Sequence, residues 1–101
     1  MVNMQINESP LEIHTGRQEI FTHTGAEFVK VAYLNGKPRI WALGNANSPL
    51  ESRTLVIREN GPVANNEHYI DTFFIDNVSW LDRNRGEHGT TRVCHVYEVK
   101  G

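Results

Sequence analysis

A chain of 101 residues, 39% hydrophobic and 22% charged, is long enough for one domain, which at this length buries about 60–70% of the surface of its unfolded chain. Ten Lys and Arg against twelve Asp and Glu leave a formal charge of -2, so no general basic field is available for a nucleic-acid duplex. A single cysteine, Cys94, excludes an intramolecular disulfide framework and a cysteine-rich zinc site, and nowhere do 18 consecutive apolar residues mark a membrane span.

The first ten residues, MVNMQINESP, are polar, lack a cationic start followed by an apolar run, and are expected to form a loose terminus of a cytoplasmic protein. Leu11 to His14 and Arg17 to Thr22 are short extended candidates separated by Thr15-Gly16. Glu27 to Leu43, EFVKVAYLNGKPRIWAL, carries the strongest local signal in the chain. Asn35-Gly36 between two apolar runs predicts a two-residue hairpin, because a type I′ turn needs positive φ at both central residues. The register then sets Leu34 against Lys37, Val31 against Ile40, Lys30 against Trp41, Val29 against Ala42 and Phe28 against Leu43. With a side-chain period of two, Val29, Val31, Tyr33, Pro38, Ile40 and Ala42 make an apolar face. Phe28, Lys30, Ala32, Leu34, Lys37, Arg39, Trp41 and Leu43 make a mixed one.

Residues 44–49 read as a loop. Alternation returns from Glu51 to Arg58, with Arg53, Leu55 and Ile57 on one side, although SPLESRTL could hold a turn of helix at its start. After the break at Asn60-Gly61-Pro62, Tyr69 to Ile75 sets Tyr69, Asp71, Phe73 and Ile75 against Ile70, Thr72 and Phe74. A short strand or bend over 78–81 and a hydrophilic loop or hairpin tip over 82–89 lead to the last strand, Arg92 to Val99. There Val93, His95, Tyr97 and Val99 oppose Arg92, Cys94, Val96 and Glu98. Short strands at close spacing with no capped helical run predict an all-β fold, a small antiparallel sandwich or open barrel forming a single domain over 1–101. A core this thin favours homo-oligomers.

The chemistry is sparse. Cys94 and His95 are neighbours on a strand, so they point to opposite faces and cannot act as one nucleophile-base pair. The five histidines show no chelating spacing, so no metal is expected. His95 with Glu98 or Asp71 could supply an acid and a base, but nothing marks a nucleophile or an oxyanion site, so neither an enzyme nor a cofactor is expected. One constellation has a specific physical use: Arg39 and Trp41 on the mixed hairpin face, with Lys30 opposite the indole. A cation beside an indole is commonly a packed surface pair, and the same arrangement also stacks a base while arginine takes phosphate oxygens.

The blocks GKPRIWAL, SPLESRTLVI, HYIDTFFI and CHVYE, in this order between Ala26 and Glu98, resemble a family of short uncharacterised tailed-phage proteins. That family carries a GxPxxWAL strand, an arginine-bearing strand, a Gly-Pro or His-Pro turn, a Y-x-G-T-F strand and a terminal HVFE-type strand. Trp41, Arg53, Tyr69, Thr72, Phe73, His95, Val96, Tyr97 and Glu98 match it; Asp71 departs from it, standing where the family has glycine, Gly61-Pro62 replaces His-Pro, and the loop over 82–89 is longer. The resemblance implies a phage accessory protein acting in the host cytoplasm without catalysis. Small oligomeric β-rich phage proteins include sponges that sequester nucleotide-derived immune signals, such as cyclic oligonucleotides or ADP-ribose derivatives. On that expectation Trp41 and Tyr69 would stack a base, Arg39 and Arg53 would clamp phosphates and His95 would donate to a ribose or phosphate oxygen. The alternative is a protein that binds and inhibits a host protein through its mixed aromatic and basic face.

Overall fold

The computed structural model describes residues 2–14, 16–77 and 90–100. The segments 78–81, expected as a short strand or bend, and 82–89, expected as a hydrophilic loop or hairpin tip, lie outside them. Seven strands follow in order: β1 (Met4–Pro10), β2 (Arg17–His23), β3 (Glu27–Leu34), β4 (Lys37–Asn45), β5 (Leu50–Arg58), β6 (Glu67–Asn77) and β7 (Thr90–Val99). They form two antiparallel sheets that do not close into a barrel, one ordered β1-β4-β3 and the other β2-β5-β7-β6. The all-β sandwich is therefore the fold. The turn of helix considered near Ser48 is not formed, since β5 already begins at Leu50.

The β3–β4 hairpin turns through Asn35 at φ 51° and Gly36 at φ 82°, the left-handed values that a type I′ turn demands. Pairing holds from Leu34↔Lys37 to Lys30↔Trp41 as the turn dictates, and then a β-bulge shifts it so that Phe28 faces Ala42 and Glu27 faces Leu43. One inserted residue reverses the facing of everything beyond it. Val29, expected in the core, is 46% exposed, and Phe28, expected on the mixed face, packs against the core. A second bulge between Tyr69 and Asp71 does the same in β6, turning Ile70 toward the core and Tyr69 outward.

The core lies between the sheets. Val31 and Ile40 of the three-stranded sheet meet Leu55, Ile57, Phe73, Ile75, Cys94 and Val96 of the four-stranded one, with Ile20 and Leu11 closing the side. The Tyr33 and Phe73 rings lie nearly parallel across the gap, 6.3 Å between centroids. A Cβ on Gly44 would sit 2.9 Å from the Ala26 methyl, so β4 approaches the β2–β3 turn as closely as only glycine allows.

Asp71 fastens the sheets together at their β3 and β6 edges. The Val31 N–H, which points away from β4, donates to Asp71 Oδ2 at 2.8 Å, and Asp71 Oδ1 accepts from the Thr72 N–H at 2.8 Å. Lys30 Nζ lies 3.7 Å from the same carboxylate. Asp71 thus caps an edge amide of β3.

The N-terminal segment corrects the expectation of a loose terminus over 1–10, because residues 4–10 form β1 along β4. Six of its seven residues are exposed. Ordering a backbone costs about 1–2 kcal/mol per residue, and a ladder hydrogen bond returns a net of about 0.5–1.5 kcal/mol. A strand that buries so little apolar surface is marginal by itself. Leu11 to His14, read as extended, forms no strand, although Leu11 is buried and donates its N–H to the Pro38 carbonyl at 3.0 Å.

Candidate functional site

Strict alternation in β7 sends Cys94, Val96 and Glu98 into the sandwich and Val93, His95 and Tyr97 to the outer face of the four-stranded sheet. Beyond its bulge, β6 contributes Thr72, opposite His95, and Phe74, opposite Val93, to that outer face; before the bulge it sets Tyr69 opposite Tyr97. The Tyr69 and Tyr97 rings meet edge to face at 5.9 Å, and Tyr69 lies 6.4 Å from the His95 ring. The Tyr69 hydroxyl shares a 2.5 Å hydrogen bond with Thr72 Oγ1, which in turn is 2.8 Å from His95 Nδ1. This chain of polar groups holds three side chains in one arrangement. Tyr69 is 59% and Phe74 61% exposed, so the patch presents large rings to solvent.

The charges around these rings are already paired. Arg58, next to His95 on β5, lies with Cζ 6.0 Å from the Tyr97 ring centre and forms a two-pronged pair with Glu67. Glu67 also accepts from the Ala64 N–H at 3.0 Å. The Arg58 guanidinium and this amide hold the Glu67 carboxyl down to about 2.

Arg53 is on the inner side, at the end of the sandwich. Its Nε and Nη2 donate to Glu98 at 2.5 and 2.7 Å, Nη1 donates to the Ala26 carbonyl at 2.7 Å, and Cζ stands 4.4 Å over the Phe28 ring. These hydrogen bonds, donated by Arg53 and accepted by Glu98, raise the Arg53 pKa and lower that of Glu98. A cleft of about 330 Å³ beside this pair is lined by Arg53, Phe28, Tyr69, Ile70, His68 and Lys100, among others.

The five residues expected to form one site are distributed over three surfaces. Tyr69 and His95 share the outer face of the four-stranded sheet, and Tyr69 also reaches the cleft that Arg53 lines. Arg39 and Trp41 lie on the outer face of the other sheet, where Arg39 pairs with Glu8 and Trp41 stands between Glu8 and Lys30. Among the described residues Arg39, Arg53, Arg58 and Arg92 each pair with a glutamate, the last with Glu59 at 2.9 Å. Among those residues no three of His, Cys, Asp and Glu come together as a metal site. Cys94 is buried, and its desolvation pushes the thiol pKa up, which keeps it inert. Sequence reasoning passed over Thr72, Phe74 and Tyr97 as site residues. Alternation places Tyr97 beside His95, but the β6–β7 register that adds Thr72 and Phe74 has no turn signal to set it.

No curated protein and no solved structure matches the chain. A family model described as a domain of unknown function, DUF7352, matches residues 3–101, and the chain belongs to that family.

Proposed function

We propose that this is a non-catalytic binding protein that docks on another protein through the outer face of its four-stranded sheet. The observation that carries this function is the cluster of exposed Tyr69 and Phe74 with half-buried His95 and Tyr97, in which hydrogen bonds through Thr72 hold Tyr69 and His95 and the neighbouring arginine is already neutralised. Rings of this kind bury large area at low entropic cost and form the centres of protein interfaces. With the resemblance to phage accessory proteins, the partner is a host protein whose activity is blocked. The test is a pull-down from host lysate with wild type, Phe74→Asp and, on the opposite sheet, Leu34→Asp. One stoichiometric partner retained by wild type and Leu34→Asp and lost by Phe74→Asp is the expected result. Retention by all three, or no partner at all, would refute it.

The cleft shared by Arg53, Tyr69 and Lys100 favours a second function, sequestration of a nucleotide-derived signal without hydrolysis. Tyr69 supplies a ring, and Lys100 and the remaining Arg53 N–H groups supply donors for phosphate. A thermal-shift screen against cyclic oligonucleotides and ADP-ribose derivatives tests it, because a ligand of the native state must raise apparent stability. The shift should appear in wild type and shrink in Tyr69→Ala. No shift with any compound sinks sequestration.

A further inference from the structure

We propose that two copies of this chain pair antiparallel along β1, joining their three-stranded sheets into one six-stranded sheet. β1 belongs to the sheet away from the aromatic face, so this pairing stands apart from the functions above.

The backbone of β1 sets the geometry. At one end the Ala46 N–H donates to the Asn3 carbonyl at 2.8 Å, and at the other the Leu11 N–H donates to the Pro38 carbonyl at 3.0 Å. Hydrogen-bonded pairs recur at every second residue of an antiparallel ladder, so Gln5, Asn7 and Ser9 also turn their backbone groups to β4. Met4, Ile6, Glu8 and Pro10 turn theirs to the open edge. Pro10, which has no N–H, is the last of the four, and the donors at Met4, Ile6 and Glu8 form a set symmetric about Ile6. Two copies related by a two-fold axis there place Ile6 opposite Ile6, Met4 opposite Glu8 and Glu8 opposite Met4, each pair exchanging two backbone hydrogen bonds. Pro10 then falls beyond the paired stretch and blocks nothing.

The side chains agree with this register. Ile6 is 61% and Met4 52% exposed, and Ile6 stands beside Leu43 on the outer face. Pairing builds a row of Leu43, Ile6, Ile6 and Leu43 across the two copies, giving each exposed isoleucine an apolar neighbour. Glu8, whose bare charge would otherwise hold edges apart, is neutralised by Arg39. Of the remaining edges, β3 and β6 are tied to each other through Asp71. β2 exposes Arg17, Glu19 and Phe21, the last at 64%, but its inward residues Ile20 and Thr22 are already buried, so only its outer side lacks cover. β1 lacks that cover on either side and gains it from a second copy.

The test is sedimentation velocity of the full chain at micromolar concentration with three variants. Wild type should run at twice the 11.5 kDa chain mass. Ile6→Pro removes an outward donor but no β1–β4 bond, and should run at the chain mass with an unchanged circular dichroism spectrum. Ile6→Cys should cross-link to a covalent dimer on oxidation, because the Cα separation of about 5.5 Å in a hydrogen-bonded pair suits a disulfide. Glu19→Cys, on β2, should not cross-link. A monomeric wild type, a dimer indifferent to Ile6→Pro, or cross-linking through Glu19→Cys in place of Ile6→Cys would each overturn the proposal.

Discussion

Arg53 binds more of the structure together than any other side chain described. It joins β5 to β7 through Glu98, to the β2–β3 turn through the Ala26 carbonyl and to β3 through the Phe28 ring. With both partners close to fully buried, Arg53→Ala would strand the Glu98 carboxylate without a counter-charge, at a cost of about 3–5 kcal/mol. The double variant Arg53→Met, Glu98→Leu should recover most of that loss in chemical denaturation, since it removes the charges together. An Arg53 variant therefore reports stability before it reports any ligand. Thr22 shows the opposite case: its buried hydroxyl is the one buried side-chain polar atom without a hydrogen-bond partner among the described residues. Thr22→Val should raise stability by about 1 kcal/mol, measured by the same denaturation. The glutamates set the response to acid. Glu67 is held at about 2 against an ordinary 4.5, chiefly by Arg58, and Glu98 and Glu59 are lowered by Arg53 and Arg92. A depressed carboxyl pKa contributes stability that is complete above the unfolded value and lost as pH falls through the folded one. The denaturation midpoint should therefore drop as pH falls from about 4.5 to 2, and Arg58→Gln should flatten that drop.

At the scale of the strand, two single-residue insertions decide which side chains the molecule shows. The Asn35-Gly36 turn made the register legible as far as Lys30 and Trp41, because a two-residue loop of that type has one pairing solution. Beyond it the bulge at Val29 intervenes. Its cause is tertiary, since Phe28 gains a place under the Arg53 guanidinium that a regular strand would deny it. The bulge at Ile70 likewise brings Tyr69 onto the face of Tyr97 and His95. Alternation within β5 and β7 was readable, so Leu55, Ile57, Cys94 and Val96 were separable from His95 and Tyr97. The grouping of the candidate site was not, because it depends on strand order and on both bulges. A pair of substitutions separates the two registers of β3. With the bulge, Phe28→Ala should cost about 3 kcal/mol, the lower end for a large ring leaving a core, while Val29→Ser should stay within about 0.5 kcal/mol. Without it the order of the two would reverse, so equilibrium denaturation of both variants decides.

As a whole the molecule is extended. Its radius of gyration is 16.0 Å, against about 13 Å for a compact chain of this length, with extents of 58 × 29 × 16 Å. The length means that stability is unevenly distributed. β5 and β7 are inner strands of the larger sheet and carry Leu55 and Val96, both at 0% exposure, whereas β1 leans on β4 alone. Native-state hydrogen exchange should rank them accordingly, with amides of β5 and β7 exchanging only on global unfolding and those of β1 fastest among the strands. Within β1 the pattern should alternate. Amides of Gln5, Asn7 and Ser9 face β4 and should be protected at any protein concentration. Those of Ile6 and Glu8 face the open edge, so they should exchange freely in dilute solution and gain protection as concentration rises and a second copy seats there. Equal protection of odd and even positions at every concentration would show that β1 is not held along β4 in this register, and both the marginal strand and its pairing would have to be abandoned.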